Sequence, residues 1–276
     1  MERTETAFAK INLALHVRRR EPDGYHAIET LFAFAEDGDS LSLTDAPGLS
    51  VTGPFAGALT GEGDNLVLRA ARAFADLTGR SLHGGFALDK RLPVAAGIGG
   101  GSADAAAALR LLCACEGIEP TDPHIQLLAA SLGADIPACL VSRAVRGEDR
   151  GDRLIPLKGV PSGLPLLLVN PMRPLATGPV FAHWDGIDRG PLDQGDPMEA
   201  ARTGRNDLER PAIAILPQIG EMLTMLADKE GVLLARMSGS GATCFGLFEN
   251  EAARDAAAAD VARDYPEWWL LATRLR

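Results

Sequence analysis

The chain opens with residues 3–17, rich in small and β-branched positions and ending Leu13-Ala-Leu-His-Val17, a pattern that predicts extended backbone. Arg18–Arg20 follow, then Glu21-Pro-Asp-Gly24. Pro presets φ and Gly accepts a positive φ, so this is a turn. Tyr25–Glu36 resumes an extended pattern, and residues 39–52 read as a strand pair around Asp45-Ala-Pro-Gly48. From Asn65 to Leu77 the apolar positions are 66, 67, 70, 71, 74 and 77, the period of a helix. Gly84–Lys90 is a short strand.

A glycine-rich segment, Leu92-Pro-Val-Ala-Ala-Gly-Ile-Gly-Gly-Gly-Ser-Ala-Asp104, leads into an Ala- and Leu-rich helix from Ser102 to about Cys115. His124–Leu132 predicts a second helix, stopped by Gly133, and Gly133-Ala-Asp-Ile-Pro137 reads as a loop or a helix start. Residues 143–163 are charged and punctuated by Pro and Gly, which suggests a boundary near 155 and domains 1–155 and 156–276. Leu164–Asn170 is a buried strand; 183–205 is polar, so a long surface loop or short helices. Asn206–Arg210 and Ile213–Ala227 look helical, and Gly231–Met237 and Thr243–Phe248 form a hairpin-like pair. An Ala-rich helix at 251–263 and a strand at Trp268–Leu275 close the chain. Strands and helices alternate without a regular βαβ rhythm, which favours an α+β fold.

Composition narrows the function. With 276 residues, 46% apolar and 23% charged, this is an ordinary soluble globular chain of one large or two small domains. Its 27 basic and 37 acidic residues leave a net charge of −10. That argues against nucleic acid and anionic membranes as partners, but not against a small anion held by a few placed donors. No run approaches the ~20 apolar residues of a membrane helix. The start, Met-Glu-Arg-Thr-Glu, lacks the basic and apolar regions of a secretory leader. Cysteines 113, 115, 139 and 244 are too few and scattered for a disulfide framework and read as buried small hydrophobes in a reducing cytoplasm.

Glycine, 30 of 276 residues or about 11%, exceeds the usual ~7%. Four of the surplus stand at 97, 99, 100 and 101, directly before a helix. Backbone N–H groups there are unshielded, and a helix N-terminus favours anions, so the loop suits a polyphosphate. It is not a P-loop, since no Gly-Lys-Ser/Thr follows, and Ser102 stands where a dinucleotide fingerprint needs its third Gly. A second Gly-Ser element, Met237-Ser-Gly-Ser-Gly-Ala-Thr243, is by itself only a common strand turn. Asp135 could be a cap, Lys10 a solvated strand lysine, and Tyr25-His26 a half-buried pair with no task.

Three motifs in order, Ala9-Lys-Ile-Asn-Leu13, Pro93-Val-Ala-Ala-Gly-Ile-Gly-Gly-Gly-Ser102 and Met237-Ser-Gly-Ser-Gly-Ala-Thr243, give the chain a specific likeness. It resembles the galactokinase–homoserine kinase–mevalonate kinase superfamily, the GHMP kinases. Asp23-Gly-Tyr-His26, Gly63-Asp-Asn-Leu66, Gly99-Gly-Gly-Ser-Ala-Asp104, Gly133-Ala-Asp-Ile-Pro137 and Asn206-Asp-Leu-Glu209 point to its branch acting on a cytidylyl methylerythritol. The family loop often has Leu and a second Ser where this chain has Ile98 and Ala103, and Met172–Thr177 matches less well.

The resemblance implies two α+β lobes with the site in the cleft between them. The N-terminal lobe would be similar to ribosomal protein S5 domain 2 and the C-terminal lobe to ferredoxin-like folds. It implies transfer of the ATP γ-phosphoryl group to the 2-hydroxyl of the cytidylyl methylerythritol, in non-mevalonate isoprenoid precursor synthesis. Asp135 would take the hydroxyl proton, with Lys10 stabilising the carboxylate and the moving phosphoryl group. Pro93 and the backbone of Gly97, Gly99, Gly100, Gly101 and Ser102 would hold ATP, with Asn65 and Lys90 flanking adenine. His26, Tyr25 and Phe181 would hold the cytosine; Asn12, Thr177 and Gly239 would touch the rest of the acceptor. Mg²⁺ is implied, with Ser102 the one candidate ligand, and a monomer or weak homodimer is expected. Two rival readings are another small-molecule kinase of the superfamily, of mevalonate or homoserine type, and a non-catalytic nucleotide-binding regulator.

Overall fold

The structure is a computed structural model that describes residues 3–59, 65–80 and 84–276. Gly63 and Asp64 of the Gly63-Asp-Asn-Leu66 string lie outside them. Two compact units emerge. The first takes the chain up to Lys10, Asp37–Val94 and Gly99–Ser142; the second takes Ile11–Glu36, Ala95–Ile98 and Arg143–Arg276. The division is therefore not one cut near residue 155. Its physical reason is two long strands, β1 (Thr4–Arg20) and β2 (His26–Thr44), each of which contributes residues to both units.

In the first unit β3 (Gly48–Thr52) and β4 (Gly85–Asp89) join the C-terminal part of β2. β4 runs antiparallel to β2, from Ser40↔Asp89 to Thr44↔Gly85, and parallel to β3, from Gly48↔Gly85 to Thr52↔Asp89. So the strands around Asp45-Ala-Pro-Gly48 exist, but β4 lies between them instead of a hairpin. Gly85 permits this, since a Cβ there would stand 2.2 Å from the Gly48 carbonyl oxygen. α1 (Leu66–Thr78) starts at Asn65, whose side chain caps the Val67 amide at 2.9 Å, and stops at Gly79 in the left-handed region. α2 (Gly100–Glu116) carries buried Ala103 and Ala105 to Ala108, small enough for helices to approach closely. α3 (Pro123–Leu132) and α4 (Ile136–Val141) complete the unit; Gly133-Ala-Asp-Ile-Pro137 is thus a helix start.

The second unit holds a hairpin within the charged 143–163 stretch: β5 (Val145–Glu148) and β6 (Arg153–Pro156), with β5 pairing β2 at Thr30–Phe32. Then come β7 (Pro165–Asn170), α5 (Thr177–Ala182), α6 (Pro197–Thr203), α7 (Glu209–Ile215) and α8 (Gln218–Ala227). β8 (Val232–Met237), β9 (Cys244–Phe248), α9 (Glu251–Asp264) and β10 (Trp269–Arg274) follow. Four antiparallel strands line up as β10-β7-β9-β8. With α8 and α9 as the connecting helices this is the ferredoxin-like β-α-β-β-α-β arrangement. The last strand therefore belongs here, against β7. Leu167, Val169, Met222, Leu226, Phe248 and Val261 form part of its core.

The 183–205 segment is polar yet fastened. Arg146 donates to the Leu192 and Asp193 carbonyls, and Glu29 accepts from the Leu192 amide. Cys113 is buried as expected, whereas Cys115, two residues on along α2, is exposed; all four thiols are free. Among the described residues no helix is long and apolar enough to cross a membrane.

Candidate active site

In the first unit the N-terminus of α2 is open to a ligand. No side chain caps it, and the first helical bond runs from the Ala103 amide to the Gly99 carbonyl at 2.8 Å. The amides of Gly100, Gly101 and Ser102 are left without an intrahelical acceptor, at the positive end of a 17-residue helix. Gly99 has φ +65°, and a Cβ there would sit 3.1 Å from Lys10 Cε. The lysine stem thus fills the space a side chain would need. Asn65 and Leu66 start α1 beside this terminus: Leu66 Cδ1 lies 3.5 Å from where a Gly101 Cβ would be. Pro93 is buried.

Lys10 and Asp135 meet here, Nζ to Oδ2 at 3.0 Å. Lys10 is 4% exposed and Asp135 36%, so the ammonium is sealed while the carboxylate faces outward. Asp135 occupies the N-cap position of α4 but makes no capping hydrogen bond. Its carboxylate is therefore not consumed by the ordinary task of an Asp at a helix start. Below the pair lies Cys139, whose thiol burial pushes up to about 12; it carries no charge.

Lys90 stands differently from the expectation. It is 2% exposed, and its Nζ donates to Asp39 Oδ2 at 2.5 Å and Asp104 Oδ2 at 2.7 Å. Asp39 Oδ1 accepts from the Arg91 and Leu92 amides, at 2.6 and 2.8 Å. Burial opposes the charge on Lys90, but Asp104 and Asp39 outweigh it and hold the ammonium above its ordinary range. Burial also pushes the Asp104 carboxyl up to about 7, with Lys90 opposing and Asp39 adding to the rise. The side chain is spent inside this cluster and has no reach left for a base.

In the second unit the segment 95–98 rests on the Met237–Thr243 turn. Ser238 Oγ donates to the Gly97 carbonyl at 3.0 Å, and the Thr243 amide to the Ala96 carbonyl at 3.1 Å. Gly97, at φ +77°, could not be any other residue without collision: a Cβ would stand 2.4 Å from the Gly241 carbonyl oxygen. The turn is in turn held by Asn206, whose Nδ2 donates to the Met237 and Gly239 carbonyls, both at 2.8 Å. That is the physical content of the Asn206-Asp-Leu-Glu209 string; Asp207 likewise accepts from the Val17 amide at 2.8 Å. Thr177 Oγ1 and Ser240 Oγ are 2.9 Å apart beside it.

His26 and Phe181 do come together, ring centroids 4.9 Å apart and tilted 36°. Trp184 joins edge-on at 5.7 Å from His26. Burial, with the charge of Arg20, pulls His26 below its ordinary range, so its imidazole is neutral at neutral pH. Tyr25 is exposed and carries the Arg150 guanidinium 4.2 Å from its ring centroid, instead of joining the His26 cluster. Asn12 is 2% exposed and donates from its side chain to Thr30 Oγ1 at 2.7 Å, so it is built into the unit.

Residues 65–143 match the GHMP kinases N terminal domain, and residues 192–267 the GHMP kinases C terminal domain. A protein of Rhizorhabdus wittichii named 4-diphosphocytidyl-2-C-methyl-D-erythritol kinase is 60% identical, over 100% of this chain and 96% of its own length. The chain belongs to the GHMP kinases. A crystal structure of 4-(cytidine 5'-diphospho)-2C-methyl-D-erythritol kinase is 35% identical to this kinase, with a TM-score of 0.78 over 100% of this chain and 99% of that one. Homoserine kinase from Cytophaga hutchinsonii, at 16% identity and a TM-score of 0.66 over 96% and 94% of the two chains, shares the fold.

Several residues near these groups carry only weak signals in the sequence. Asp39 and Asp104 look like surface acids, although Asp104 ends the Gly99–Asp104 string. Trp184 follows Phe181 by three residues, the helical spacing that could have paired them. Arg110 is the one charged side chain between Asp104 and Glu116 of an otherwise Ala- and Leu-rich helix, which marks it as a residue with a buried task. Among the described residues no three His, Cys, Asp or Glu side chains cluster as a metal cage.

Proposed function

We propose that this kinase transfers the γ-phosphoryl group of ATP to the 2-hydroxyl of 4-diphosphocytidyl-2-C-methyl-D-erythritol, an isoprenoid-precursor step in the cytoplasm. The observation that carries the catalytic part is the Lys10–Asp135 pair, an uncapped carboxylate and a sealed ammonium beside the open N-terminus of α2. The full-length relative at 60% identity supports the acceptor.

The acceptor oxygen attacks the γ-phosphorus, the bond from that phosphorus to the β-bridging oxygen breaks, and ADP leaves. The hydroxyl proton passes to Asp135, which above all orients the hydroxyl. Such transfer asks mainly for positioning and charge stabilisation, and Lys10 supplies a fixed positive charge against the moving group. The Gly100, Gly101 and Ser102 amides hold phosphate oxygens, with Gly97 and Gly99 setting the turn and Pro93 supporting it. Asn65, at the start of α1, lines the adenine end. In the second unit a neutral His26 offers the cytosine edge one donor and one acceptor, and Phe181 offers it a face. Thr177 and Gly239 supply polar groups to the acceptor, and Tyr25 an outer face. Ser102, at the open end of α2, would be the protein ligand of a Mg²⁺ bound with the ATP phosphates, and the ion would supply charge neutralisation there. The free thiols accord with a reducing compartment. A monomer or weak homodimer suffices.

A coupled assay of ADP release, with ATP and with or without the cytidylyl acceptor, tests the reading. ADP formation that depends on the acceptor is expected. Turnover with mevalonate or homoserine instead would move the chain to another branch, and no ADP with any acceptor would leave a nucleotide-binding regulator. His26→Ala should raise KM for the cytidylyl acceptor while ATP affinity holds.

A further inference from the structure

We infer that Arg110 is a positioning residue for phosphoryl transfer, binding the backbones that carry Lys10 and Asp135 to the helix that begins at the phosphate-binding amides. The inference rests on the proposed roles of Lys10 and Asp135. All the groups involved belong to the first unit.

Arg110 lies in the third turn of α2. Its Nη2 donates to the Thr6 carbonyl at 2.8 Å and its Nε to Glu5 Oε2 at 2.8 Å, both on β1. Its Nη1 donates to the Cys139 carbonyl at 2.8 Å and to Ser142 Oγ at 3.2 Å, at the C-terminal end of α4. One planar, rigid fork thus grips two separate backbones at once, a geometry a lysine cannot reproduce. Thr6 is four residues before Lys10, an even strand interval, so the two side chains share a face of β1. Cys139 is about one helical turn after Asp135. A second tie closes the arrangement nearer the chemistry. The Cys139 Sγ lies 3.8 Å from where a Gly99 Cβ would be, and the Lys10 stem packs on the same glycine.

The side chain is only 13% exposed, and Glu5 is 34% exposed. A guanidinium that served charge balance alone would need only that carboxylate. Its bonds to two backbone carbonyls in two different elements have another consequence. They fix the distance from β1 to α4, and so the place of the Asp135 carboxylate relative to the Lys10 ammonium and the α2 amides. Displacement of a catalytic group by ~1 Å costs as much as 10²-fold in rate.

The test compares Arg110→Lys, which keeps the charge and most of the stem, with Arg110→Ala, each in the parent and in an Asp135→Asn background. Tm confirms that each variant is folded. In the parent background we expect kcat to fall by roughly 10–50-fold for both, with KM for ATP and acceptor within about threefold. Added guanidinium ion should restore part of the kcat lost in Arg110→Ala. Because Arg110 acts through the pair, the same replacements should cost less than about twofold when Asp135 is already Asn. A role confined to stability would lower Tm and leave kcat of the folded protein intact, and that result overturns the inference, as does an equal loss in both backgrounds. If Asp135→Asn alone turns over normally, the reading of the pair fails. If Asp135→Asn is impaired while Arg110→Lys is not, only the role of Arg110 fails.

Discussion

Two lysine–carboxylate clusters sit within the first unit, at neighbouring glycines, and they are built for opposite ends. The Lys10 stem packs on Gly99 and its ammonium meets Asp135, which is 36% exposed. The Lys90 ammonium lies 3.2 Å from where a Gly100 Cβ would be, and it meets two carboxylates, Asp39 and Asp104, which are 0% and 4% exposed. The chemistry of the side chains is the same in both. The difference is whether a carboxylate oxygen faces an open surface. The half-open pair can take part in a reaction; the sealed cluster ties residues 90–92 to the second turn of α2, closing the base of the glycine loop. A lysine beside a glycine loop at a helix start is therefore not by that fact a candidate ligand of a nucleotide.

The widest gap between the two should appear on removing each cluster's ability to act. Asp135→Asn keeps size and shape and removes the carboxylate proposed to accept the proton. Turnover should drop by roughly 10²–10⁴-fold, with ATP affinity and Tm little changed. Steady-state kinetics beside a melting curve would decide it; a Tm collapse would make Asp135 a structural residue like Asp39.

Lys90→Met should do the reverse. It strands two buried carboxylates without a counter-charge, a change that costs about 3–5 kcal/mol in comparable sites. Urea unfolding should show the loss, and whatever remains folded should retain measurable turnover. A stable Lys90→Met protein with a large rise in KM for ATP would return Lys90 to the nucleotide site.

The sequence told these two lysines apart poorly, for a physical reason. Lys10 and Asp135, which the fold brings within 3.0 Å, stand out in the sequence because each lies inside a short string whose residue types and order recur with a known chemistry. Nothing local marks Lys90, whose partners lie 51 residues before it and 14 after it. Pairing across such separations is a product of the tertiary fold. The same holds for the placement of β4 between β2 and β3, and for the strands shared by the two units, which turned an expected cut near 155 into an interleaved division. Helices α1, α2 and α3 and the β8–β9 hairpin were legible because period and punctuation are local properties. Asn12 stands out through its motif, whereas its burial and its bond to Thr30 are products of the fold.

The sealed cluster should also show itself in the pH dependence of stability. Asp104 sits at about 7, pushed up chiefly by burial, against an ordinary value of 3.8. A carboxyl with a raised folded pKa holds its proton more tightly in the folded chain than in the unfolded one. Its contribution to stability is therefore complete below about pH 4, declines as pH rises between the two values, and is gone above about pH 7. The buried Asp104 Oδ1, which finds no hydrogen-bond partner, is consistent with that cost of ionisation. Asp104→Asn cannot titrate. Relative to the parent, its Tm should gain roughly 5 °C on going from about pH 5 to about pH 8, because the parent alone loses the proton. Parallel Tm curves for the two proteins across that range would mean that Lys90 keeps both of its carboxylates ionised throughout, and that the cluster carries a net negative charge beneath Gly100.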